Sequence, residues 1–286
     1  MVYLGLRPMD KHPVETGIED VVRTYELLDR VRLGRDILIR DDQFEREALF
    51  DVARTARARR VRVSVLDTGR FDPTELEWLI GEKVRIVTSD EARPREAELS
   101  RLLAACRKAG SVLVFFEHGP LEAEPAVPTV PLPALEGLAA SGMDLHISNR
   151  SRARDLGVVA GLAGAARKGR AFLAYYHHGP LAPDMVGVAS RGAWLHVSDR
   201  SLPPSGTVDL GLEILGAARQ AGSRLVVYVE QGLPLPVLET LFAAGAALLF
   251  LTAPSDRSSL QRPLEEKAGK RKLPLRASYL SPAFLP

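Results

Sequence analysis

A pattern recurring along the middle of the chain constrains its fold more than any other feature. At Ala171–Arg200 an apolar run, Phe172–Tyr176, ends in His177-His178-Gly179-Pro180. A Pro-to-Gly segment follows, and a second apolar run, Trp194–Val197, ends in Ser198-Asp199-Arg200. Upstream, Val112–Phe116 ends in Glu117-His118-Gly119-Pro120, and Leu145–Ile147 ends in Ser148-Asn149-Arg150. Downstream, Leu225–Val229 ends in Glu230-Gln231-Gly232. A fainter version runs Val61–Leu66 into Asp67-Thr68-Gly69, then Val84–Thr88 into Ser89-Asp90. The runs are continuous rather than alternating, as expected of parallel strands covered on both faces.

Helical spacing fills the gaps. Three longer helices, Arg95–Lys108, Arg152–Lys168 and Val208–Gln220, end in a basic last turn followed by Gly110, Gly169 or Gly222. Cations suit the negative helix end, and glycine tolerates the positive φ just beyond it. Four shorter helices run from a proline to a glycine: Pro73–Gly81, Pro131–Gly142, Pro183–Gly192 and Pro234–Gly245. Proline fits the first helical turn, where its missing N–H is not needed. Four strand–helix–strand–helix units supply eight strands between Val61 and Thr252, the count that closes a (β/α)8 barrel. The expected fold is therefore α/β and (β/α)8 TIM-barrel-like, with an open parallel sheet or an α/β solenoid as the alternatives. An extra strand at Asp36–Arg40, and another at Val2–Leu6, exceed that count. The expected division is an N-terminal extension over 1–35, the repeating domain over 36–258, and a helix with a Pro-punctuated apolar tail over 259–286.

Composition narrows the partners. The chain's 286 residues are 46% hydrophobic and 26% charged, enough to bury a large core. A net charge of +2 points to no strongly basic or acidic partner, so no nucleic acid is indicated. The arginine-rich stretch Arg54–Arg62 reads as a solvated helix face. The single Cys106 excludes an internal disulfide, and its apolar spacing with Leu99, Leu102 and Leu103 places it in the core. No signal-like N-terminus and no apolar run of about 20 residues is present, so the reading is cytoplasmic with no membrane association. The tail residues Leu275, Tyr279, Leu280, Phe284 and Leu285 are too apolar to leave in water. They are expected to close one barrel end or join a homo-oligomer.

Parallel α/β folds place chemistry at the C-terminal ends of their strands. Aligned on their glycines, the repeats give one set of strand ends: Asp67, Glu117, His177 and Glu230. Two Glu, one Asp and one His make a hard, oxygen-rich set suited to a divalent metal such as Mn, Mg or Zn. The opposite alternation would instead turn Thr68, His118, His178 and Gln231 inward. A copied polar residue at a strand end also faces water or caps a helix without further role. At the second set of strand ends, His146 and His196 stand two residues before Ser148 and Ser198, which suggests acid–base work. Asp90, Asn149 and Asp199 read chiefly as caps of the helices that follow.

Phosphate loops, dinucleotide fingerprints, cysteine clusters, His-Glu-x-x-His and a Gly-x-Ser-x-Gly elbow are all missing. No strand end carries a lysine for Schiff-base chemistry, and no family motif surrounds the candidates. Two functions follow. One is a metal-dependent hydrolase or isomerase acting on a small polar substrate at the strand mouth, with His146 or His196 as catalytic proton carrier. The other is a non-catalytic repeat protein with a scaffold, assembly or ligand-sensing role.

Overall fold

The alternation of strand and helix follows the proline and glycine punctuation. The computed structural model describes residues 24–117, 130–150, 152–202, 208–229 and 234–250. In chain order the elements are α1 (Thr24–Arg32), β1 (Ile37–Arg40), α2 (Arg46–Arg59), β2 (Val63–Leu66), α3 (Pro73–Gly81), β3 (Arg85–Ser89), α4 (Glu96–Ala109), β4 (Leu113–Glu117), α5 (Leu132–Ala140), β5 (Asp144–Ser148), α6 (Leu156–Lys168), β6 (Leu173–His177), α7 (Met185–Ser190), β7 (Trp194–Ser198), α8 (Asp209–Gln220), β8 (Leu225–Val229), α9 (Leu235–Ala244) and β9 (Ala247–Phe250). The strands are parallel and hydrogen-bond in the order β1 to β9. This is the α/β, (β/α)8-barrel-like arrangement expected from the repeats, with nine described strands and no reversal of order of the kind a doubly wound sheet contains.

Local signals explain the boundaries. Asp72 caps α3: its carboxylate accepts the Thr74 and Glu75 N–H groups while Glu75 accepts the Asp72 N–H, with Pro73 in the first turn. Gly110 and Gly222 end α4 and α8 with φ of 67° and 76°, as their positions imply. Gly169 differs. Arg170 takes the left-handed conformation there, and a Cβ on Gly169 would collide with the Ala139 carbonyl oxygen. That glycine is required for close backbone approach.

Contacts divide the described residues into two units. One lies within Met9–His146 with Lys168–Ala171, the other within Ile147–Arg167 and from Phe172 onward. In the first, α1 buries Leu27 and Val31, α2 buries Leu49, Val52, Ala53 and Ala56, and α4 buries Leu99, Leu102, Leu103 and Cys106. Helix α1 falls inside the expected N-terminal extension, so at least that part packs into a core. In the second, α8 buries Ile214, Leu215 and Ala218 and α9 buries Leu238, Leu241 and Phe242. The proposed strand at Val2–Leu6, the loop from Leu121 to Thr129 and the tail over 259–286 lie outside the described residues.

Register fixes which side of the sheet each residue occupies. In the second unit Ala174 pairs with Trp194, Tyr176 with His196, His196 with Val226, and Val226 with Ala247. Ala174, Tyr176, Val226 and Tyr228 form one buried cluster with Phe172, Trp194 and Ala247, and no described helix residue joins it. The alternate row, Leu173, Tyr175, Leu195, Val197, Leu225 and Val227, is buried to 1% exposure or less. Consecutive helices such as α7 and α8 pack side by side. They contribute nothing to the cluster, whose face is lined, among the described residues, by strand residues and the adjoining Phe172.

Candidate functional site

The strand-end residues separate by face. In the first unit Val65 pairs with Ile86, so Asp67 continues the row beside Thr88, on the side that receives the helices. There Asp67 is fully occupied. It accepts from Thr88 Oγ1 at 2.7 Å, from Arg93 Nε and Nη2 at 2.9 Å each, and from the Gly69 N–H at 3.0 Å. Arg93 also donates to the Phe71 carbonyl and reaches Glu98 of α4 at 3.4 Å. The Asp67–Arg93 pair is buried, with 0% and 6% of the side chains exposed. It ties the end of β2 to the start of α4.

Asp41, just past β1, belongs to the same polar group. Its Oδ1 accepts the Thr68 N–H at 3.1 Å and the Thr68 hydroxyl at 2.6 Å. Its Oδ2 is buried with no hydrogen-bond partner. Burial raises the Asp41 pKa above the ordinary carboxylate value; the Thr68 hydroxyl opposes this, and the charge of Asp67 adds to it. Glu117 closes β4, buried in the row of Phe115.

In the second unit His177 continues the row of Tyr175 and pairs with Val197, which pairs with Val227. Both ring nitrogens are engaged: Asn149 Nδ2 stands 3.2 Å from Nδ1, and Nε2 lies 2.8 Å from the Pro180 carbonyl oxygen. The carbonyl must accept, so Nε2 carries the proton and Nδ1 accepts from Asn149. Asn149 also accepts the His178 N–H at 2.6 Å and donates to the His178 carbonyl at 3.1 Å. It clamps the end of β6 in the way a paired strand would. The helix-capping role expected of Asn149 falls instead to Asp155, which accepts the Gly157 N–H at 2.7 Å. Glu230 lies outside the described residues. Among the described residues no group of three or more His, Cys, Asp or Glu side chains could hold a metal ion.

In the second unit the histidine two residues before the strand-end serine, His196, lies on the face of the Tyr176 and Tyr228 cluster. In the second unit the His196 ring stacks on Tyr176, with centroids 4.5 Å apart, and its Nδ1 lies 2.8 Å from the Tyr228 hydroxyl. His196 and Tyr228 are each 3% exposed. Burial pushes the His196 pKa down to about 3, so the ring is neutral at physiological pH. Burial, followed by the neighbouring Tyr176, raises Tyr228 well above its ordinary value, so its hydroxyl keeps its proton. When that hydroxyl donates to Nδ1, the imidazole proton sits on Nε2. In the first unit His146 stacks on Phe116, with centroids 4.4 Å apart. The serines form turns: Ser89, Ser148 and Ser198 accept the N–H groups of Ala92, Arg150 and Arg200.

Three partners escaped the sequence reading. Tyr228 and Tyr176 sit inside apolar runs, where only the register shows that they flank His196. Arg93 is one of many arginines, and nothing in its neighbourhood sets it apart as the partner of a buried carboxylate. A phenolic oxygen in the otherwise apolar run Leu225–Val229 was the one available signal, because a buried hydroxyl needs a partner.

No family model and no curated protein sequence matches this chain. Solved structures with a similar course include a deoxyribose phosphate aldolase from Aeropyrum pernix, at 12% identity and a TM-score of 0.33, covering 90% of this chain and 100% of that one. An HpcH/HpaI aldolase from Desulfitobacterium hafniense matches at 11% identity and a TM-score of 0.37, covering 88% and 98%. Methylaspartate ammonia lyase from Clostridium tetanomorphum matches at 11% identity and 0.34, covering 89% and 65%. Likeness at this level carries no residue of those proteins' sites over to this chain. No helix among the described residues is long and apolar enough to cross a membrane.

Proposed function

We propose that this chain is an enzyme acting on a small polar substrate at the C-terminal ends of β6–β8, on the face of the Tyr176 and Tyr228 cluster. The observation behind this reading is the buried hydrogen bond between Tyr228 and His196, flanked by the Tyr176 ring. A histidine whose pKa burial holds far below working pH is too weak a base to shuttle a proton there. It polarises instead, as a neutral imidazole whose N–H donates to an oxygen that gains negative charge. In this reading the protonated Tyr228 donates to Nδ1, which sets the tautomer that makes Nε2 the donor. Electrophilic polarisation of a carbonyl suits isomerisation next to that carbonyl better than hydrolysis.

The second reading is a scaffold or ligand-sensing protein. A specific observation favours it: Asp67 and His177, both at strand ends, spend their polar atoms on Arg93, Thr88, Asn149 and Pro180 within their own units.

The two readings separate in one experiment on the full chain. Short hydroxy-aldehydes, hydroxy-ketones and keto acids, free and phosphorylated, are screened by thermal shift. Any that bind are followed by NMR in D2O for exchange of the hydrogen next to the carbonyl. The enzyme reading expects at least one compound to raise Tm and exchange with the wild type but not with folded Tyr228→Phe or His196→Gln. No shift and no exchange across the panel leaves the scaffold reading.

A further inference from the structure

We propose that the outer face of α2 and α3 is a twofold interface between two copies of this chain. On α2, Glu47, Phe50, Asp51 and Arg54 follow i, i+3, i+4, i+7 spacing and form one stripe. The stripe points away from the core, which α2 meets through Leu49, Val52, Ala53 and Ala56. Glu47 and Arg54 keep 72% and 67% of their side chains exposed. Between them Phe50 leans on Trp78 of α3, with ring centroids 6.1 Å apart and planes tilted by 56°. Trp78 is 55% exposed. A lone exposed apolar residue needs no explanation, but an aromatic pair at the centre of a charged stripe presents a contiguous surface.

The order of charges selects the occupant. Glu47 stands near the N-terminal end of the stripe and Arg54 near the C-terminal end, about 10 Å apart along the axis. A second α2 laid antiparallel, with the twofold axis between Phe50 and Asp51, sets each Glu47 against the other copy's Arg54. The same operation gathers both Phe50–Trp78 pairs around the axis. This is the self-complementarity that an isologous dimer requires, and antiparallel helices also oppose their dipoles favourably. Among the described residues Arg54 reaches Glu82 at 4.0 Å, whereas Arg57 binds Glu82 at 3.1 Å, and Glu47 accepts from the neighbouring Arg46 at 3.0 Å. These intrachain pairs are solvent-exposed and weak, so both stripe charges can exchange them for contacts across the axis. An acidic partner would be repelled by Glu47 and Asp51, and a basic one by Arg54.

Sedimentation velocity and light scattering on the full chain over a concentration series test this. The wild type should dimerise, and Trp78→Glu should be monomeric with an unchanged circular dichroism spectrum. Glu47→Arg and Arg54→Glu should each raise the dimer Kd about tenfold or more, because two opposite-charge contacts become two like-charge ones. The double variant Glu47→Arg with Arg54→Glu re-creates both contacts with the signs exchanged, so it should return to within a few-fold of the wild type. A wild type monomeric at every concentration, a dimer indifferent to Trp78→Glu, or a double variant as weak as the singles would overturn the proposal. Both charged positions lie on an exposed helix face, so the variants test association with the fold intact.

Discussion

Acid should destabilise this protein through His196, and the structure sets the size of the effect. The ring titrates near 6.5 in the unfolded chain and near about 3 in the folded one, because burial disfavours its charged form. The folded state therefore binds fewer protons than the unfolded state below pH 6.5. The stabilising contribution is complete above that pH and lost as pH falls. Each pH unit well inside the window costs roughly 1 kcal/mol or somewhat more, so lowering the pH to about 4.5 should cost about 2–3 kcal/mol from this residue. Other histidines and the carboxylates add their own slopes, so the quantity to read is a difference. Urea unfolding of the wild type and of His196→Gln, followed by tryptophan fluorescence and circular dichroism from about pH 8 to about pH 4.5, supplies it. Glutamine can still accept from Tyr228 but does not titrate. The wild type should lose about 2–3 kcal/mol more than the variant across the window. In parallel, the His196 ring resonance should stay unshifted in an NMR titration down to about pH 4.5. Equal slopes, or a His196 resonance titrating near 6.5, would refute a neutral buried imidazole and with it the polarising role proposed for the ring.

The first unit offers two further tests. Asp41→Asn keeps an oxygen for both Thr68 bonds and removes a carboxylate that burial disfavours, so it should stabilise the protein at neutral pH by on the order of 1 kcal/mol. Since the folded pKa of Asp41 is raised, the native carboxyl helps stability at low pH and costs it as pH rises. The gain from Asp41→Asn should therefore fade as pH drops into the carboxylate range, and a loss of stability at pH 7 would contradict this. Arg93→Met leaves Asp67 buried without its cation and should cost about 3–5 kcal/mol by urea denaturation, with part recovered by adding Asp67→Asn. A cost below about 1 kcal/mol would mean that the pair does not hold β2 to α4.

Element type was legible in this sequence because proline and glycine mark the ends of apolar stretches that are uniform within. Pro73 and Gly81 bound α3, and Pro234 and Gly245 flank α9. The orientation of strand ends was not legible. Alignment on glycines sets His177 opposite Glu230, whereas hydrogen bonding sets His177 beside Val197 and then Val227, with Val229 next in that row. A shift of one residue moves a side chain to the other face, and glycine spacing does not report which face the helices cover. For the same reason His196 could be picked out by its place before Ser198, while its neutrality could not. The ring's charge state depends on Tyr176, Tyr228 and complete burial, all of which come from other strands.

The unbroken strand order has a consequence for how the chain acquires its structure. Every described pairing joins strands separated by one helix, as when Ile37 meets Val63 or Leu195 meets Leu225. No described strand waits for a partner from the far end of the chain, so the loops to be closed are short and their entropy cost is small. Assembly can proceed like a zipper from the ribosome outward, each new strand docking on the one made before it. Hydrogen-exchange labelling during synthesis would then find β1 to β4 protected before β7 has been translated.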